Sequence, residues 1–144
     1  MKMDPRDALG RQFDALGYPS ASYVEEFRSW HAEEGMVPDW TIELRDESMQ
    51  FLLTESRVVK TVFIFSEAAI SDVIGVSAGV ATLKDVIARF GNPTRFGEEQ
   101  HLAILGAKGA WLRYDYPAEV VHLEFRPGDV GIHMLTLMAP EHAP

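Results

Sequence analysis

The stretch Trp40-Thr-Ile-Glu-Leu-Arg45, followed by Met49-Gln-Phe-Leu-Leu-Thr54 and Val58-Val-Lys-Thr-Val-Phe-Ile-Phe65, decides the fold class. The first segment alternates apolar and polar residues, the period of a strand with one buried face. The other two are apolar runs rich in β-branched and aromatic residues, which suit a pleated surface. Asp46-Glu-Ser48 and Glu55-Ser-Arg57 are short polar breaks between them. Parallel neighbours would need a crossover of about a dozen residues or more, so such short breaks imply antiparallel pairing. The expectation is an antiparallel meander at the centre of one sheet.

Towards the C-terminus, Thr82-Leu-Lys-Asp-Val-Ile-Ala-Arg-Phe-Gly-Asn-Pro93 predicts a helix. Thr82 is the cap, with Asp85 three residues on where a capping box usually has Glu or Gln. Leu83, Val86, Ile87 and Phe90 form its apolar stripe, and Gly91 and Pro93 end it. Residues 68–80 read either as a short helix and loop or as loop alone. Strands follow over 102–105, 110–116, 120–125 and 132–138, with turns at Gly106-Ala-Lys-Gly109 and Arg126-Pro-Gly-Asp129. Towards the N-terminus, Asp4 and Pro5 with Leu9, Phe13 and Leu16 predict a helix over 4–16 ended by Gly17. A second helix is expected from Ser20 or Ser22 to Glu34, with Tyr23, Phe27 and Trp30 on its stripe. The expected class is α+β in one domain, residues 1–144. It has two N-terminal helices, one central helix and an antiparallel sheet of about six to seven strands, in the order αα-βββ-α-ββββ.

Composition narrows the function classes. The chain is 47% hydrophobic and 24% charged over 144 residues, ordinary values for a globular domain. It has no cysteine, which removes disulfides and thiolate metal sites. The N-terminal residues lack the apolar run of a secretory signal, and no stretch approaches the ~20 apolar residues that span a bilayer. These features predict a cytoplasmic protein without membrane association. The net charge is −9, and 11 of the 22 acids but only 5 of the 13 bases lie in the first 50 residues. An acidic surface without a basic cluster repels phosphate backbones, so nucleic acid is not an expected partner. It suits a basic protein partner.

Signatures of dinucleotide binding, phosphate loops, serine hydrolases and zinc proteases are absent. Three local features remain. A turn at residues 126–129 would bring His122 opposite His133, with Glu124 on the same face, a candidate divalent-metal site. The alternative is a register in which the two imidazoles never meet. In Trp111-Leu-Arg-Tyr-Asp-Tyr116, the residues Trp111, Arg113 and Asp115 share one strand face, and Trp and Arg are frequent interface anchors. The plainer reading makes Trp111 a core residue. Glu25, Glu26, Glu33 and Glu34 are candidate contacts for a basic partner, or simply the solvated face of the second helix. His122, Glu124 and Asp115 are the residues an enzyme would use, but no arrangement of acid and base roles follows from them. No cofactor is expected.

The segment Gly79-Val-Ala-Thr-Leu-Lys-Asp-Val-Ile-Ala-Arg-Phe-Gly-Asn-Pro-Thr94 resembles the helix–strand module of the BamE/SmpA lipoproteins and, more loosely, of the β-lactamase inhibitor proteins. The lipobox cysteine of the first group is missing, so membrane anchoring does not carry over. Gly109-Ala-Trp-Leu-Arg-Tyr-Asp115, Val121-His-Leu-Glu-Phe125 and Met134-Leu-Thr-Leu-Met138 look similar to small bacterial immunity-type proteins. This resemblance implies an acidic cytoplasmic inhibitor that occludes a protein partner, such as a basic toxin. The alternatives are a small-molecule or metal-binding domain and a homodimer formed by an uncovered strand.

Overall fold

The computed structural model describes residues 4–104 and 106–144. An antiparallel sheet of eight strands dominates it, in the order β1-β2-β3-β4-β10-β9-β8-β5. The strands of its first half are β1 (Tyr23–Arg28), β2 (Asp39–Leu44), β3 (Met49–Leu53) and β4 (Val59–Ile64). Those of the second half are β5 (Arg95–Gly97), β8 (Trp111–Asp115), β9 (Val120–Phe125) and β10 (Ile132–Met138). A separate hairpin pairs β6 (Gln100–Leu102) with β7 (Gly106–Lys108). Two α-helices, α1 (Glu67–Ile74) and α2 (Leu83–Phe90), lie between β4 and β5 in the chain.

The α+β class and the antiparallel sheet agree with the expectation, but the two N-terminal helices and the six to seven strands do not. The segment expected to be the first helix forms two 3-10 turns, Pro5–Ala8 and Phe13–Leu16. Gly10, at φ 78°, breaks the run between them. The backbone is satisfied across space instead: Gly10 N–H donates to Val59 O, Val59 N–H to Arg11 O and Phe13 N–H to Arg57 O. These bonds drop the Phe13 ring into the core, against Tyr18, Tyr23 and Phe51.

The expected second helix is strand β1 followed by a 3-10 segment, Ser29–Glu34. Tyr23, Phe27 and Trp30 mimic a helical stripe because spacings of four and three are helical. Tyr23 and Phe27 also satisfy period 2, so both readings fit that pair. Pairing with β2 decides between them. Phe27 faces Trp40 with ring centroids 4.9 Å apart, and Arg28 sits opposite Asp39.

The meander β2-β3-β4 lies where the sequence placed it, and so do α2, β8, β9 and β10. Residues 68–80 resolve into most of α1 and a loop. Ser66 caps α1, accepting a hydrogen bond from Ala69 N–H, and Gly75 ends it in the left-handed region. The box on α2 is complete with aspartate: Thr82 Oγ1 accepts from Asp85 N–H, and Asp85 Oδ2 accepts from Thr82 N–H. The strand expected over 102–105 is displaced into β6, with Ile104 in a turn, and Leu105 lies outside the described residues.

Ile70, Ile74 and Val86 bury one side of the helices against Phe51, Val62, Leu123, Leu135 and Leu137 of the sheet. The helices and the N-terminal turns therefore cover one sheet face. The other face carries no α-helix; the C-terminal segment reaches it, with Pro144 O accepting from Arg113, and side chains there are mostly half-buried.

Candidate functional site

Alternation along each strand decides which side chains share the helix-free face. Leu112 and Tyr114 point into the core, so Trp111, Arg113 and Asp115 point out. Leu123 and Phe125 point in, so His122 and Glu124 point out. The register places Trp111 opposite Glu124 and Arg113 opposite His122. On the far side of β9, Glu124 meets Met134 and His122 meets Thr136, which in turn meets Phe63 of β4. The aromatic set and the histidine set are therefore one surface.

Its centre is a ring stack. The Trp111 indole and the His122 imidazole lie 5.2 Å apart at 23°. Gly97 of edge strand β5 pairs with Trp111, and a Cβ there would collide with the indole. The glycine makes the room in which Trp111 lies flat. Burial lowers the His122 pKa; Glu124 opposes this, while Lys108 and Arg113 add to it. His122 is thus a predominantly neutral imidazole at pH 7. Arg113 is buried and committed: its Nε donates to Asp115 Oδ1 at 2.7 Å and its Nη1 to Pro144 O at 2.9 Å.

His122 and His133 are not opposed. The turn after β9 is longer than four residues: Arg126 N–H donates to Gly131 O, and Phe125 pairs with Ile132 rather than Val130. A bulge between Ile132 and Met134 then takes up His133. His133 Nε2 ends 3.7 Å from Glu124 Oε2, while His122 faces Thr136. Among the described residues, no three His, Asp or Glu side chains gather closely enough to hold a metal ion.

The four glutamates do not form one helical face. Glu25 and Glu26 are successive residues of β1 and point to opposite sides of the sheet. Glu25 pairs with Arg57 at 2.8 Å. Glu33 and Glu34 are exposed on the 3-10 segment that follows.

Sequence reading missed a charged cluster at the opposite end of the sheet from the ring stack. Asp39 is only 2% exposed. Arg28 grips its two oxygens at 2.7 and 2.6 Å, Lys60 Nζ lies at 3.0 Å and His31 Nδ1 at 3.3 Å. Burial alone would raise the Asp39 pKa, but the hydrogen bonds from Arg28 and Lys60 outweigh it and hold the carboxyl below its usual range. The hint in the sequence was Arg28 and Asp39 flanking a chain reversal. Met134, Phe63 and Gly97 were missed as well, because only cross-strand register places them on the face of Trp111.

Among the described residues, no helix is long and apolar enough to cross a membrane. No protein-family model matches the sequence, and no curated protein matches it. Among solved structures, the chain is similar to an extracellular protein containing a SCP domain from Bacillus anthracis str. Ames, with a TM-score of 0.58 and 15% identity. The likeness covers 98% of this chain and 48% of that one, so this chain spans about half the length of the protein it matches. A DUF4309 family protein (YjgB) from Bacillus subtilis subsp. subtilis str. 168 is matched at TM-score 0.44 and 12% identity, over 94% of this chain and 76% of that one. Neither is a BamE/SmpA lipoprotein or an immunity protein, and at this identity the first likeness speaks to fold alone.

Proposed function

We infer that the chain is a protein-binding module of inhibitor or immunity type whose docking surface is the helix-free sheet face around Trp111. The observation that carries this reading is the placement of Trp111, His122, Glu124, Met134 and Phe63, each half-buried, on one sheet face that carries no α-helix. Interface cores favour aromatic residues and Met, and a half-buried Trp on a rigid strand is a typical anchor. Arg113 is neutralised by Asp115, and Glu124, Glu43 and Glu26 outnumber Arg95, which lies opposite Arg113 on the same face. A basic partner, such as a toxin, fits that charge, and attraction between them speeds association at low salt. A site in the cytoplasm accords with the absence of cysteine.

The test is affinity capture from the producing organism with the wild-type chain, a Trp111→Ala/Met134→Ala double variant and a Glu33→Ala/Glu34→Ala control. The reading expects one partner retained by the wild type and the control, lost by the double variant and weakened by salt. Equal capture by all three chains, or none at low salt, overturns it. A second copy of the chain is the rival occupant; it would appear as a concentration-dependent dimer that the double variant abolishes.

A further inference from the structure

On the opposite, helix-covered side of β5 and β8, away from Trp111, an open cleft of ≈ 690 Å³ lies between α2 and the sheet edge. Its volume falls within the range of about 300–1,000 Å³ usual for small-ligand sites. Leu83 and Ile87 of α2 form one wall, and Phe96 and Leu112 form the other. Phe96 is 65% exposed, an aromatic ring standing at the mouth without a cover.

The polar lining has one sign. Glu98, Glu99 and Asp129 reach the cleft and no basic residue lines it. Glu99 is engaged, accepting from the Gly128 N–H and lying 3.4 Å from His101. Glu98 and Asp129 have no ion-pair partner among the described residues. Asp129 is also held in the left-handed region at φ 61°. Its Oδ1 is sealed from water and accepts no hydrogen bond. A buried acceptor with no donor is costly, and the half-buried Asp129 carboxylate as a whole lines the cleft.

We propose that this cleft binds an organic cation with an apolar body, the amine or ammonium group meeting Asp129 and Glu98 and the body lying between Ile87, Phe96 and Leu112. Charge complementarity selects the class: the mouth is acidic, the walls are apolar and the whole chain carries −9. A bare metal ion fits less well, because no three ligating side chains converge there. Phe96 adds attraction, since a ring face favours a nearby cation. The proposal is independent of the docking surface on the other sheet face.

The test compares three probes of one shape: 4-phenylbutylamine, 4-phenylbutanol and 4-phenylbutyrate. Each is titrated into the ¹⁵N-labelled full chain and followed by amide chemical shifts. The amine is expected to saturate, moving Leu83, Ile87, Gly97, Leu112 and Asp129, and to bind at least tenfold more tightly than the alcohol. The butyrate is expected to bind least. Asp129→Asn keeps a residue type that tolerates the left-handed region, and it should weaken the amine at least fivefold while leaving the alcohol unchanged. Glu98→Gln, at an exposed position, supplies the same comparison if the first variant misfolds. Phe96→Ala should weaken both, and the amine more than the alcohol. Equal binding of the three probes, shifts elsewhere on the surface, no saturation by the amine at millimolar concentration, or indifference of the amine to the carboxamide variant overturns the proposal.

Discussion

The Trp111 indole lies 5.2 Å from the His122 imidazole at an interplanar angle of 23°, across the β8–β9 pair. Each ring shields the other from water, and burial lowers the His122 pKa from its ordinary value.

Trp111→Ala removes that shield. His122 is expected to titrate below the ordinary value of about 6.5 in the wild type and to move up towards it in the variant. An NMR titration of the imidazole Cε1 proton reads both. The sign for stability follows. The folded pKa is lowered, so the unfolded chain takes up a proton first as pH falls below about 6.5. Wild-type stability is therefore lost between that pH and the folded pKa, and the variant loses less over the same interval. Identical imidazole titrations in the two proteins would falsify the stacking account.

Gly97→Ala places a methyl group where the indole lies. Trp111 must swing away, and the variant is expected to lose about 1–3 kcal/mol, the usual range for overpacking. Tryptophan fluorescence should shift to the red. Because the chain has three tryptophans, the comparison is made in a background with Trp30 and Trp40 replaced by Phe. An unchanged spectrum contradicts the close fit.

Asp39→Ala leaves Arg28 and Lys60 facing each other without their shared anion. Breaking a fully buried pair costs about 3–5 kcal/mol. Arg28 and Lys60 still reach water, so about 2–3 kcal/mol is expected, measured by urea unfolding. The wild-type carboxyl titrates below the unfolded value of about 3.9. Its contribution is present above that value and lost as pH falls through the folded pKa. The variant should lack this acid-dependent loss.

Phe13→Ala tests the N-terminal correction. The ring is buried against Tyr18, Tyr23 and Phe51 although its segment is only a 3-10 turn. A loss of about 3–5 kcal/mol is expected. A nearly neutral outcome would mean that the N-terminal segment does not belong to the core.

The strands β2, β3, β4, β8, β9 and β10 were legible because each declares itself locally, by alternation or by an apolar run between turn residues. Helix α2 was legible for the same reason, since its cap, stripe and glycine stop lie within about a dozen residues. Gly10 was a legible warning against a helix over residues 4–16, outweighed by the spacing of Leu9, Phe13 and Leu16. For the site, the shared face of Trp111, Arg113 and Asp115 was legible from period 2 alone. Its junction with His122 and Glu124 was not.

The sequence by itself thus determined the α+β class, the antiparallel sheet and the acidic charge, because composition and short-range periodicity carry them. Only tertiary structure decided that residues 23–28 are an edge strand and that β4 lies beside β10. Tertiary structure also set His122 against Thr136 instead of His133. The physical reason is common to all three. Tyr23 and Phe27 fit either period until Trp40 and Asp39 supply partners, and strand neighbours are chosen by burial across long stretches of chain. A hairpin register depends on the length of its turn and on any bulge within it, and here both move His133 away from His122.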